Sequence, residues 1–222
     1  ELDPEQHEVR WRMACCQLEI SRYDKALGHF EQIRRRRPDD PEVLVRIARC
    51  QHFLGRNKQA RDTLDRVLER DPDNGVARRT LGEIALMNSE PDEAERELRQ
   101  AVDLMPDDYT ANWWLHRALK AAGKDEEALS QGRRAGKLKE RLDRLSEIST
   151  FKLTDRPHDP ALHCEMGKLY LEMGHKEMAE RWLSSALAQD PRYRPAHAAL
   201  ADLYDARGDK ETADEHRRQA AP

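Results

Sequence analysis

The side chains here that could do chemistry are nine histidines, four cysteines and a large complement of arginines, and their spacing argues against most of it. The tightest grouping of metal-type donors is His158, His163 and Cys164. Zinc would need a fourth ligand and a rigid frame, whereas this trio straddles a connector and the start of a helical pattern. A solvated loop histidine beside a packed His–Cys pair accounts for it, and no metal site is expected. Cys15, Cys16, Cys50 and Cys164 form neither a C-x-x-C pair nor a regular framework. They read as buried small residues or free thiols, which tips the balance towards a reducing, cytoplasmic setting. Because the chain opens on Glu1 rather than Met, its start says nothing for or against a secretion signal. No G-x-S-x-G, G-x-x-x-x-G-K, H-E-x-x-H or C-x-x-C-H is present. The expectation is a chain with no catalytic residue and no cofactor.

Charge excludes a second group of functions. There are 39 basic and 43 acidic residues, a net of -4, whereas non-specific binding to nucleic acid or to an anionic membrane calls for a positive excess. The most basic segment, Arg34-Arg35-Arg36-Arg37, closes a helical pattern, where cations complement the helix dipole, and Asp39 and Asp40 follow at once. Without interleaved aromatics it makes a poor case for RNA. No apolar run reaches the roughly 18 residues of a membrane span, so no membrane insertion is expected.

What positions the side chains is an internal repeat. Ala26, Ala60, Ala94 and Ala128 lie 34 residues apart, and Ala179 and Ala213 resume the interval after a gap of 51. A bulky column runs Met13, Ile47, Leu81, Leu115, Met166 and Leu200, with a mostly small column one residue on: Ala14, Ala48, Gly82, His116, Gly167, Ala201. Gly55, Gly123, Gly174 and Gly208 share a turn column, while Pro38, Pro72, Pro106 and Pro191 close repeats. Apolar residues such as Val43, Leu44, Ile47 and Ala48, then Leu64, Val67 and Leu68, recur at helical spacing. Glycine or serine at mid-repeat ends one helix and proline ends the next. Asp40-Pro41 and Asp159-Pro160 pair an N-cap with proline at the first helical position. The small columns let two antiparallel helices approach, and Phe30, Leu64, Leu98 and Leu183 fill the space to the next hairpin. With 37% charged and 38% hydrophobic residues, the composition suits an elongated array better than one deep core.

This pattern resembles the tetratricopeptide repeat family, most clearly over 160–193, where Met166-Gly167, Tyr170, Gly174, Ala179, Leu183, Ala186 and Pro191 match it. The resemblance implies an all-α solenoid of helical hairpins wound as a right-handed superhelix, with repeats at 7–40, 41–74, 75–108, 109–142, 160–193 and 194–222. Residues 1–6 read as the tail of a preceding repeat, because Pro4 falls 34 residues before Pro38. Repeat four departs from the pattern: His116 stands in the small column, Gly132 in the bulky one and Glu140 in place of proline. Its second helix should therefore run on over 125–150, with Leu138, Leu142, Leu145 and Ile148 as its stripe, to a connector at Thr150–His158. This gives a four-repeat block, 7–142, an extended helix end and connector, 143–159, and a two-repeat block, 160–222, closed by a polar cap helix.

The resemblance also implies a concave groove lined by the first helix of each hairpin. By register it holds Glu8, Trp11, Cys15 and Leu18; Val45, Arg46, Arg49, His52 and Phe53; Arg79, Glu83 and Met87; Trp113, Arg117 and Lys120; and Lys168 and Glu172. The expected partner-binding set is Trp11, Arg46, Arg49, Phe53, Arg79, Trp113 and Arg117, because aromatic and arginine side chains dominate interface energies. Its partner would be a protein or peptide segment bearing acidic and apolar residues. Trp113 and Trp114 have another reading, as packing that repairs repeat four around Asn112. Cys16 shares an inward-facing column with Cys50. The carboxylate clamp of chaperone-binding relatives is not implied, since Trp11 and Cys15 stand where its first pair would fall. The chain reads as a non-catalytic adaptor; the rival readings are an RNA-binding solenoid and the interaction arm of an enzyme lying upstream. Self-association through the N-terminal edge of the array is a further expectation.

Overall fold

A computed structural model of the chain describes residues 4–221, with side chains from Glu8 onwards, and among these residues there is no β-strand. Six antiparallel hairpins follow one another: α1 (Pro4–Glu19) with α2 (Tyr23–Arg34), α3 (Pro41–Phe53) with α4 (Asn57–Arg70), and α5 (Gly75–Met87) with α6 (Pro91–Leu104). Then come α7 (Tyr109–Ala121) with α8 (Asp125–Glu147) and, after a single turn α9 (Leu153–Asp155), α10 (Pro160–Glu172) with α11 (Lys176–Gln189) and α12 (Arg194–Asp205) with α13 (Lys210–Ala220). The chain divides into two compact units, residues 1–135 and 136–222, so the boundary falls inside α8.

Each hairpin turn is made the same way. Ser21, Gly55, Ser89, Gly123, Gly174 and Gly208, all in one register column, have φ between 59° and 84°. Behind each, the next amide bonds a carbonyl five residues back: Arg22 to Gln17, Arg56 to Gln51, Glu90 to Ala85, Lys124 to Leu119, His175 to Tyr170 and Asp209 to Tyr204, at 2.8–3.0 Å. This left-handed cap satisfies carbonyls that the helix end would orphan. Four of the first helices are opened by side-chain caps: Asp40 accepts from the amides of Glu42 and Val43, Asn74 from Ala77, Asp108 from Ala111 and Asp159 from Ala161.

Between the helices lies the packing that the columns anticipate. Phe30, Leu64, Leu98 and Leu183 are fully buried, each removing an apolar side chain from water at a gain of roughly 2 kcal/mol. A Cβ on Gly82 would stand 2.4 Å from Leu98 Cγ, and one on Gly167 2.6 Å from Leu183 Cγ, so the small column is required where it meets leucine. Repeat four keeps this fit with the sizes exchanged. His116 lies over Gly132, whose Cβ would come within 3.0 Å of the imidazole, and His116 Nδ1 donates to the Ala128 carbonyl at 2.7 Å.

A polar column not anticipated from the sequence ties four of the first helices to the loop before them. Arg78, Asn112, His163 and His197 occupy one register position and donate to the carbonyls of Pro72, Pro106, Pro157 and Pro191 at 2.8–3.1 Å. Each also reaches the second helix of its hairpin, at Glu97, Gln131, Ser185 and His216 respectively. A carbonyl only accepts, so Nε2 carries the proton in His163 and His197.

Two expectations are corrected, and α1 extends back beyond residue 7: residues 4–6 form its first turn, while residues 1–3 lie outside the described residues. The helix after α8 continues through a π-helical stretch, Ile148–Lys152, and then α9, so the connector shrinks to 156–159; Pro157 disfavours helical geometry at Arg156. Cys16 is exposed although Cys50, 34 residues on, is fully buried. The face of α3 bearing Val43, Ile47 and Cys50 packs with Phe30 and Ile33 of α2. On α1 the matching positions, Val9, Met13 and Cys16, are exposed, and so is Ile20 one turn further on.

Candidate interaction surface

In the first unit α3 packs beside α5 and α5 beside α7, which sets the first helices of successive repeats next to one another. The arginines expected at the surface converge there. Arg46, Arg49 and Arg79 line one cleft of about 370 Å³ between α3 and α5, completed by Pro41, Glu42, Val45, Asn74 and Val76. Arg46 stands 3.7 Å from Glu42, and Arg79 pairs with Asp108, the N-cap of α7, at 2.7 Å. Arg49 has no ion-pair partner among the described residues, and its Nε is shielded from solvent with nothing to donate to. Of three guanidinium groups, one is therefore unanswered.

The aromatic residues extend this surface on both sides. Arg46 lies 5.8 Å from the ring centroid of Trp11, joining α1 to α3, and Trp11 meets Phe30 edge-on at 5.5 Å. A second cleft, of about 270 Å³, has Glu8, Trp11, Arg37, Asp40 and Glu42 in its walls. On α7, Arg117 sits 5.0 Å from the Trp113 ring and 5.1 Å from that of Trp114. A cation over an indole face is held by the ring quadrupole and keeps the face flat and oriented.

Not every expected residue joins this wall. Phe53 lies seven residues beyond Arg46, roughly 10 Å along the helix, at the hairpin-turn end, where it stacks on Tyr23 with centroids 4.6 Å apart. Leu18, Val45 and Glu83, expected to face the groove, are buried, because their helices are narrow enough that a residue one step off the exposed stripe meets the neighbouring repeat. Trp114 is core, 8% exposed; Trp113 is half-buried, packed on that core and against Trp114 at 4.7 Å. Cys15 lies half-buried beside Arg46, and burial outweighs that cation to raise its thiol pKa. Burial likewise pushes Cys50 up to about 11 and raises Cys164. In the second unit, Glu172 of α10 is engaged by Arg141 at 2.9 Å. The sequence reading missed Tyr23, Asn74 and Val76; only Asn74 carried a signal, as a helix N-cap.

Stacked helical hairpins with a repeated turn and a lined first-helix wall define a helical repeat protein. The chain belongs to the tetratricopeptide repeat family: models of that repeat match residues 18–84, 79–138, 160–193 and 195–219. Among solved structures it is similar to TTC0263, a thermophilic TPR protein in Thermus thermophilus. The identity is 21%, the TM-score 0.57, and the match covers 89% of this chain and 98% of that one. MamA AMB-1 matches at 21% identity and TM-score 0.48 over 85% of this chain and 94% of its own. YrrB, described as a TPR protein with an unusual peptide-binding site, matches at 18% and 0.47 over 86% and 90%. The likeness to TTC0263 speaks to the fold. No curated protein sequence matches the chain significantly. The family assignment makes it a repeat scaffold for protein–protein interaction, and among the described residues no helix is long and apolar enough to cross a membrane.

Proposed function

We propose that the chain is a non-catalytic scaffold that holds a segment of a partner protein along the first-helix wall of α1, α3, α5 and α7. The observation that carries this reading is the surplus of arginine and half-buried tryptophan on that wall in a chain of net charge -4. Local charge opposite to the average is not inherited from composition and matches a ligand with acidic and apolar residues. The groove contacts would be Trp11, Arg46, Arg49, Arg79, Trp113 and Arg117, with Phe53 at its turn-side rim.

Peptides selected from a random displayed library against the full chain, each carrying a photo-crosslinker, test the reading. Attachment to α1, α3, α5 and α7 is expected; attachment to second helices or to the 136–222 unit would overturn it. Steeply salt-dependent, roughly micromolar binding of generic single-stranded RNA at physiological ionic strength would favour the RNA-binding solenoid instead. A second reading, self-association through the N-terminal edge, is supported by the exposed apolar stripe of Val9, Met13 and Ile20 on α1. Sedimentation of the native chain against Met13→Glu tests it: a concentration-dependent dimer present in both would exclude that edge.

A further inference from the structure

The geometry points to the α3–α5 cleft as a receptor for one carboxylate, carried by an acidic residue of the partner segment with an aliphatic residue beside it. This rests on the groove reading and names its anchor. Arg49 is the direct contact, and Arg46 and Arg79 flank it.

Three observations carry the assignment. Charge is the first. Arg46, Arg49 and Arg79 bring three positive charges to the cleft; Glu42 lies 3.7 Å from Arg46 and Asp108 lies 2.7 Å from Arg79. One unit of positive charge is left over, and it resides on Arg49. A monoanionic carboxylate balances that surplus, whereas a phosphoryl group of nearly two charges would have to displace Glu42 or Asp108 to be matched.

The second observation is that Arg49 is held ready. Its Nε is screened from water and has no acceptor, a cost the native chain bears without any internal hydrogen bond in return. A guanidinium can grip a carboxylate through two parallel N–H donors, so one incoming acidic group meeting the Nη atoms can answer the charge of Arg49. Third, Val45, Val76 and Pro41 line the same cleft. They give an aliphatic neighbour of the acid somewhere to leave water, and they lower the local dielectric around the ion pair.

Selectivity follows from the same arrangement. A glutamine side chain in place of glutamate keeps the shape and loses the charge, leaving the surplus on half-buried Arg49 unanswered. The expected difference is about tenfold or more in affinity.

The test uses the full chain with nitrogen-15-labelled arginine and three blocked tripeptides as probes: Ac-Leu-Glu-Val-NH2, Ac-Leu-Gln-Val-NH2 and Ac-Leu-phosphoSer-Val-NH2. The glutamate probe should move the Arg49 Nε–H resonance saturably with a Kd of about 1 mM, and the glutamine probe should bind at least about tenfold more weakly. The Arg46 and Arg79 Nε–H resonances, which the glutamate probe also moves in the native chain, should stay still when it is added to Arg49→Gln, while the circular dichroism melt is unchanged, because Arg49 has no ion-pair partner among the described residues to lose. Equal binding of the glutamate and glutamine probes, or undiminished binding to Arg49→Gln, would overturn the assignment. Binding of the phosphoserine probe more than about tenfold tighter than the glutamate probe would replace the carboxylate with a phosphoryl group. Library-selected peptides that crosslink to the wall yet bind Arg49→Gln as well as the native chain would sink the cleft and leave the wall standing.

Discussion

Truncation of Trp113 to alanine separates the two roles that one residue holds on α7. Its indole packs on the core of the first unit and meets Trp114 edge-on, while Arg117 lies 5.0 Å from its ring centroid. A fully buried tryptophan replaced by alanine costs roughly 3–5 kcal/mol, and Trp114, at 8% exposed, should fall in that range. Trp113 is half-buried, so about half of that, ~2 kcal/mol, is expected for its own truncation, including the lost aromatic pair. If it also anchors the partner, affinity should fall by a further ~2 kcal/mol, about 30-fold, measured where the variant is still folded. Urea unfolding followed by circular dichroism gives the first quantity and fluorescence anisotropy of a library-selected peptide gives the second. Trp114→Ala serves as the control: it should destabilise more and, at temperatures where it remains folded, bind nearly as well as the native chain. A Trp113→Ala chain that is destabilised like Trp114→Ala and binds with native affinity would refute the anchor and reduce Trp113 to packing.

Four further outcomes follow from the structure. Ser21→Gly and Ser89→Gly should each stabilise by roughly 0.5–1 kcal/mol in urea unfolding, because those serines hold φ of 59° and 64° where a Cβ is penalised. Gly82→Ala should destabilise by ~1–3 kcal/mol through its clash with Leu98, whereas Gly28→Ala on α2, with open space at its Cβ, should stabilise by roughly 0.5–1 kcal/mol. Burial and the adjacent His197 hold His216 below the ordinary histidine range; its folded pKa is thus lower than its unfolded one. The unfolded chain then takes up the proton first, and the last hairpin should lose stability as pH falls through about 6.5, seen as faster amide exchange in α12 and α13 with α3 as reference. A thiol reagent with mass-spectrometric readout should modify Cys16 first and Cys15 next, with Cys50 and Cys164 last, since burial raises the latter two.

Most of the fold was legible because each hairpin is built from local rules. A residue that can take positive φ at the turn, an Asp or Asn before the first helix and a proline after the second act within one or two helical turns, so the sequence displays them at their true spacing. Arg46, Arg49 and Arg79 lie on first helices, as their register implies, and line one cleft. The errors came one step off the exposed stripe. Leu18, Val45 and Glu83 differ from their exposed neighbours only by about a hundred degrees around the helix, and the depth of the next repeat decides which of them is covered. Repeat four looked damaged because His116 and Gly132 each break a column; together they exchange volumes and fill the same space.

By itself, then, the sequence determined the period, the turns, the Asp40 and Asp159 caps and that Arg46, Arg49 and Arg79 fall on first helices, because those are set by backbone geometry and near neighbours. Tertiary structure alone decided which charges are left over. Arg46, Arg49 and Arg79 are equivalent as residue types. Glu42 and the α7 cap Asp108 reach two of them, and no carboxylate of a described residue pairs with Arg49, a consequence of where stacking sets each carboxylate. The clasp of Arg78, Asn112, His163 and His197 has the same origin. Four unlike side chains do one job because the loop carbonyl comes within reach only after the hairpins have packed.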